Sequence, residues 1–198
     1  MSSIWHLYEY HPSFVIGFHG CDKDIGEQIL GGHIKHLEYS QKKWDWLGHG
    51  IYFWEGNPQR ALKWAEERKV NSGQVKSPFV IGAVIDLKRC LDLLDSSGIQ
   101  QVRGAYLNLK VSFKKVGKPL PVNTGKEKSA RVLDCLVINS LHDYLETNNR
   151  SKYDSVRAMF PEGEELYTGA GFKDKNHIQL CIRDKTCIKG YFRPIIDW

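Results

Sequence analysis

The hydrophobic pattern changes period several times along the chain, and each change marks an element. Phe14-Val15-Ile16-Gly17-Phe18-His19-Gly20 is a short β-rich run ending in glycine. Asp22 or Asp24 then caps a short helix through Leu30, which Gly31-Gly32 stops. A glycine-punctuated loop leads to a second strand at Gly50-Ile51-Tyr52-Phe53. Asn57-Pro58 places a capping side chain before a proline in the first helical turn, so a helix follows, burying Ala61, Leu62, Trp64 and Ala65. Pro78 to Leu87 is apolar almost throughout, the pattern of a strand covered on both faces and expected in the middle of the sheet. Ser129 can cap a helix in which Ala130, Leu133, Leu136, Val137, Leu141 and Tyr144 recur at three- and four-residue steps. Beyond Asn148-Asn149 the chain reads as irregular through Gly169-Ala170-Gly171, before two strand-like runs, His177 to Arg183 and Lys189 to Arg193.

Strands and helices mix here without regular βαβ alternation, and no Gly-x-Gly-x-x-Gly follows the first strand. The expected class is therefore α+β rather than a doubly wound dinucleotide-binding sheet. At 198 residues, with 41% hydrophobic and 12% aromatic residues, the chain is expected to form one domain over 1–198. No stretch approaches the roughly 20 apolar residues that cross a bilayer, and Met1 to His6 lacks a basic segment followed by an apolar run. A cytoplasmic location without a membrane partner is expected. Cys21, Cys90, Cys135, Cys181 and Cys187 include no Cys-x-x-Cys pair and are read as reduced and mostly buried. His33, His36 and His49 lack metal-ligand spacing, so no metal is expected.

The net charge of +5 matters less than its distribution. From Gln101 to Arg131 the chain carries Arg103, Lys110, Lys114, Lys115, Lys118, Lys126, Lys128 and Arg131 against the single acid Glu127. This segment is either a solvated lysine-rich loop and helix end or a surface for a phosphate backbone.

Two segments carry more chemistry than a scaffold needs. Gly17-Phe18-His19-Gly20-Cys21 ends a strand with an imidazole beside bare glycine backbone, and Gly48-His49-Gly50-Ile51-Tyr52-Phe53-Trp54 leads through glycines into an aromatic cluster. Taken singly, a strand-end histidine is more often a satisfied core or loop residue, and an aromatic run is more often core. Together with the late strand His177-Ile178-Gln179-Leu180-Cys181-Ile182, in this order, they resemble the ADP-ribosyltransferase superfamily on the branch of diphtheria toxin and the poly(ADP-ribose) polymerases. In overall size, and in Ser155-Val156-Arg157 and Tyr167-Thr168-Gly169, the chain is also similar to small bacterial members that act as toxins in toxin–antitoxin and phage-defence systems.

The resemblance implies a split antiparallel β-sheet core with flanking helices, and NAD in the cleft as donor of ADP-ribose. It implies that His19 bonds a ribose hydroxyl, that Gly20 presents its backbone N–H and C=O to the nicotinamide carboxamide, and that Tyr52 stacks on the nicotinamide ring. Trp54 either extends that pocket or fills core. Arg157 either reaches the pyrophosphate or pairs with a carboxylate such as Asp154. Family members carry a glutamate where this chain aligns Gln179, which has no charge and cannot act as a general base. Gln179 thus orients substrate while Glu162, Glu164 or Glu165 supplies charge, or the strand register differs, or catalysis is lost; as strand residue alone it is polar surface. The implied reaction breaks the bond between nicotinamide and ribose and passes ADP-ribose to a macromolecule. The basic segment favours nucleic acid, RNA above all, over protein as acceptor. A catalytically silent binder of NAD, ADP-ribose or nucleic acid, and an NAD glycohydrolase, are the alternatives. A toxin of this kind also implies a neutralising antitoxin protein.

Overall fold

The computed structural model describes residues 14–125 and 129–195. Strand β1 (Phe14–Asp22) runs directly into helix α1 (Lys23–Leu30), whose first turn is capped by the Asp22 carboxylate accepting from Asp24 N–H. Strand β2 (Ile51–Glu55) leads to α2 (Pro58–Ser72), where the Asn57 side chain accepts from Arg60 N–H and Gly73, at φ 62°, ends the helix. Then follow β3 (Pro78–Asp86), β4 (Cys90–Asp92), α3 (Ser96–Lys115), α4 (Val132–Thr147), β5 (Ser155–Phe160), β6 (His177–Ile182) and β7 (Ile188–Phe192).

The seven strands form one mixed sheet in the order β4-β5-β6-β2-β1-β3-β7, antiparallel except for the β4–β5 pair. The α+β class expected from the pattern is the class observed. The ladders are of unequal length. β1 pairs with β3 at nine consecutive positions, from Phe14–Asp86 to Asp22–Pro78, but with β2 only at Gly17–Glu55 and Phe18–Trp54. Beyond Phe18 and Trp54 those strands part, so the sheet is two sub-sheets, β4-β5-β6-β2 and β1-β3-β7, joined by a short zipper.

Side chains alternate across the strands and sort the core into two faces. On one face Phe53, Ile81, Ile85, Leu180 and Ile182 pack under Ile29 of α1 and Leu37 of the following loop. On the other, Phe18, Trp54 and Val80 meet Ala61, Leu62 and Trp64 of α2. Farther along that face Tyr52, Val156, Ala158 and Cys181 meet Val137, Ile138 and Leu141 of α4 and Ala105 of α3. All five cysteines are buried and unpaired.

Several expectations are corrected. The apolar run at β3 lies second from the sheet's edge, and β2 is the middle strand. Continuous apolarity reports cover on both faces, which α1, α2 and the Phe192 ring provide, and carries no information about strand order. Ser129 does not cap α4. Its carbonyl accepts from Trp46 Nε1, while the Asn123 side chain, ten residues before Leu133, accepts from Leu133 and Asp134 N–H. Tyr144 is exposed, because the buried stripe of α4 runs through Cys135, Ile138, Leu141, His142 and Leu145. Of the basic segment, Gln101 to Lys115 belongs to α3, a 20-residue helix capped by Asp95, while Lys126, Glu127 and Lys128 lie outside the described residues; β5 forms within the stretch read as irregular.

Two glycines of α3 make opposite demands. A Cβ at Gly98 would overlap the Asp92 carbonyl oxygen, whereas one at Gly104 would meet open space. Gly98→Ala is expected to lose about 1–3 kcal/mol from overpacking, and Gly104→Ala to gain about 0.5–1 kcal/mol from helix propensity. Urea unfolding of the two variants reads both signs.

Candidate functional site

The site begins where the β1–β2 ladder ends. Ile16 C=O accepts from Gly56 N–H at 2.9 Å, so the backbone polar groups of Ile16 face β2. Those of Phe18 and Gly20 follow at the two-residue period, because β1 stays in unbroken register with β3 through Asp22. Phe18 still meets its partner Trp54; Gly20 faces the gap after the ladder has stopped. The Tyr52 carbonyl, which a continued ladder would pair with Gly20 N–H, instead accepts from His19 Nδ1 at 2.7 Å. A backbone donor and a backbone acceptor of one residue therefore point into the opening between β1 and β2.

This hydrogen bond also fixes the chemistry of His19. A carbonyl only accepts, so Nδ1 carries the proton, and burial holds the imidazole pKa below its ordinary value. The ring is neutral near pH 7, and Nε2 keeps its lone pair as an acceptor for a hydroxyl. The rings beside it are Phe53, with centroids 5.9 Å apart, and Trp64 of α2, 6.3 Å away.

Tyr52 has another task. Its hydroxyl donates to Gly48 C=O at 2.6 Å and accepts from Leu47 N–H at 2.8 Å, and its ring packs in the α3/α4 part of the core. Burial pushes its pKa well above the usual phenol value. The Gly48-His49-Gly50 loop is pressed onto α4 and β6: a Cβ at Gly48 would stand 2.8 Å from Asn139 Oδ1, and one at Gly50 would overlap Cys181 Sγ. Gly48 also has φ of 77°, which suits glycine. Gly20 lacks a side chain for a packing reason as well, since a Cβ there would overlap the Ala61 carbonyl oxygen of α2.

Trp54 is buried beside Phe18 and Ala61 of α2, with Trp64 at 5.8 Å and the Arg60 guanidinium 5.6 Å from its ring. Gln179 pairs with Trp54 across β6–β2, so Gln179, Trp54 and Phe18 stand in one row over three strands, about 10 Å end to end at the usual strand spacing. The pairing of β6, β2 and β1 thus sets Gln179 at almost the same level as His19. Arg157 lies apart from this row. It holds Glu55 through Nε at 2.6 Å and Nη2 at 3.1 Å, and Asp92 through Nη1 at 2.9 Å. The structure therefore matches the ion-pair reading of Arg157, with Glu55 and Asp92 as partners in place of Asp154, whose carboxylate bonds Arg89 N–H.

Two groups went unnoticed in the sequence. Trp64 supplies the aromatic plane near His19, a role for which its place on the buried side of α2 was the only clue. Arg60 is 92% buried, reaches Glu162 through Nη2 at 2.9 Å, and leaves Nε and Nη1 without hydrogen-bond partners among the described residues. No group of His, Cys, Asp and Glu suited to a metal occurs among the described residues. Two surface cavities lie elsewhere: one of about 670 Å³ beside Lys35, His36 and Lys185, and one of about 380 Å³ between α3, α4 and Trp46.

An uncharacterized protein of Methanocaldococcus jannaschii is 25% identical to this chain over 194 residues, spanning 87% of this chain and 83% of the other. No family model matches the chain. No solved structure matches it either. No helix among the described residues is long and apolar enough to cross a membrane.

Tyr52→Phe removes one hydroxyl from two buried hydrogen bonds without touching the backbone carbonyl that His19 uses. The expected loss is about 1–3 kcal/mol in unfolding free energy, measured by denaturant titration, with the His19 contact preserved.

Proposed function

We propose that this protein is an NAD-dependent ADP-ribosyltransferase that passes ADP-ribose to a macromolecule, with nucleic acid, RNA above all, favoured over protein. The supporting observation is the backbone of Gly20, whose N–H and C=O face the opening where β1 and β2 part. A primary carboxamide presents one acceptor and one donor side by side, and a residue with both groups free on one side matches it with two hydrogen bonds. His19 Nε2 stands next to this as an acceptor for a ribose hydroxyl, and Trp64 offers a flat aromatic surface for a pyridine ring. In this reading Trp64 takes the stacking role expected of Tyr52, and Tyr52 holds the loop that shapes the opening.

The chemistry such a site must perform is modest in acid–base terms. Nicotinamide leaves a cationic precursor as a neutral molecule, so the protein has to orient the donor, exclude water and tolerate positive charge at C1′. Arg157 is engaged by Glu55 and Asp92, so the cation nearest the row for a phosphate is Arg60. The preference for nucleic acid rests on α3, where Arg103, Lys110, Lys114 and Lys115 are exposed alongside Leu107 and Val111. Tyr167 and Phe172, exposed in the loop before β6, add surfaces on which bases stack. A silent binding module is the second reading, and the uncharged Gln179 favours it.

Incubating the protein with NAD and a cell extract, treated separately with nuclease and protease, tests the proposal. A transferase releases nicotinamide and labels nuclease-sensitive material; NAD binding without release identifies the silent module, and release without label identifies a glycohydrolase. His19→Ala is expected to lower turnover at least about 100-fold, while Tyr52→Phe keeps turnover wherever it remains folded. If α3 holds phosphates, labelling of RNA falls by about ten-fold or more between about 50 and 200 mM salt, a decline that nicotinamide release without acceptor does not share.

A further inference from the structure

Five buried polar atoms around the start of β6 have no hydrogen-bond partner among the described residues: Trp54 Nε1, Arg60 Nε and Nη1, His177 Nε2 and Gln179 Oε1. Folded proteins leave only a few such atoms unmatched, and five in one place form an unusual cluster. These five belong to adjoining residues. Gln179 is the cross-strand neighbour of Trp54, His177 lies two residues earlier on the same face, and the Trp54 and His177 rings are 6.4 Å apart. The Arg60 guanidinium lies over Trp54, with Nη1 in an ion pair with Glu67 at 3.8 Å that is too long for a hydrogen bond. The set contains donors (Trp54 and Arg60) and acceptors (His177 and Gln179), so the group it awaits both accepts and donates hydrogen bonds. A fully ionised phosphate lacks the donors; an acceptor molecule with an N–H or O–H has them.

His177 is the one group here with basic chemistry. Its side chain is completely enclosed, between the rings of Trp46, Trp54 and Phe160. Nδ1 donates to Lys175 C=O at 2.7 Å, which puts the lone pair on Nε2. Glu162 Oε2 lies 3.7 Å from Nδ1, itself tied to Arg60 at 2.9 Å. Of the three acids in this loop, Glu162 is the one the fold brings to β6; Glu164 and Glu165 are exposed, and Glu165 accepts from Gly169 N–H.

We propose that His177 is the proton acceptor of the transfer step, with Glu162 facing its imidazole and Gln179 orienting the incoming nucleophile. The inference rests on the transferase reading and supplies the base that Gln179 cannot be. As the acceptor's nitrogen or oxygen bonds to C1′ of the donor ribose, the bond from C1′ to the pyridine nitrogen breaks and its electron pair leaves with neutral nicotinamide. The acceptor's proton passes to His177 Nε2, and the imidazolium returns it to water after release. The charged groups that face this ring set when it can act: burial holds its pKa below the ordinary value, Glu162 raises it, and Arg60 and Arg131 lower it. Transfer therefore declines as pH falls through that lowered pKa, because protonated Nε2 accepts nothing.

The test compares wild type, His177→Asn and Glu162→Gln for NAD binding by calorimetry and for transfer from labelled NAD to total cellular RNA and protein across pH. Asparagine keeps a donor for Lys175 C=O. His177→Asn is expected to bind NAD as wild type does, to transfer about 10²–10⁴-fold more slowly, and to lose the acid limb of the profile. Glu162→Gln is expected to move that limb to lower pH, a shift that is absent when a group other than His177 sets it. A His177→Asn protein with wild-type rate and profile overturns the inference and leaves the transferase reading intact. Should that variant fail to fold, an unmoved limb in Glu162→Gln overturns it instead. Wild type that neither binds NAD nor releases nicotinamide overturns the transferase reading, and the inference with it.

Discussion

The ladder between β1 and β2 stops after Phe18 and Trp54, and the hydrogen bond from His19 Nδ1 to the Tyr52 carbonyl keeps it stopped. Antiparallel strands that begin to pair ordinarily continue, because each added pair satisfies two polar groups. Here a side chain takes the carbonyl that backbone would have taken. Around that substitution α2 presses its Ala61 carbonyl against Gly20, and the Tyr52 hydroxyl binds the loop before β2. The parting of the strands follows from all three contacts, and it leaves the buried backbone of Gly20 facing the gap instead of a β2 partner.

Charged residues divide by what surrounds them. Arg157, on β5, is held by Glu55 of β2 and Asp92 of β4, so its guanidinium is matched on two edges and ties three strands together across the sheet. These carboxylates push its pKa further up. Arg60 is more deeply buried and less closely matched: Glu162 bonds Nη2 at 2.9 Å, Glu67 stands 3.8 Å from Nη1, and Nε and Nη1 have no hydrogen bonds among the described residues. Saturated arginines build scaffolds; desolvated arginines with spare donors attract anions or hydrogen-bond acceptors.

Features decided within a few residues were legible in the sequence. Asp22 and Asn57 cap α1 and α2, and β1, β6 and β7 lie where β-rich runs mark them. Helix α3 was not legible, because Gly98 and Gly104 lower its propensity and its exposed Leu107 and Val111 blur the amphipathic stripe. Nor was β5, six residues interrupted by Arg157 and an exposed Met159. In the site, His19 and Gly20 were visible because glycine beside histidine at a strand end is a local signal. The tasks of Tyr52, Arg157, Arg60 and His177 depend on Gly48, Glu55, Glu162 and Lys175, partners that only the folded chain selects.

The central position of β2 has a consequence for how the chain is made. One of its edges meets β1, which precedes it, only at Trp54 and Glu55, and the other awaits β6, some 120 residues downstream. At about 5–20 residues per second a ribosome needs on the order of ten seconds to supply that strand. For that interval a nascent chain displays Ile51 and Phe53, both fully enclosed in the finished protein, along an uncovered strand edge, the condition under which chaperones bind and neighbouring polypeptides entangle.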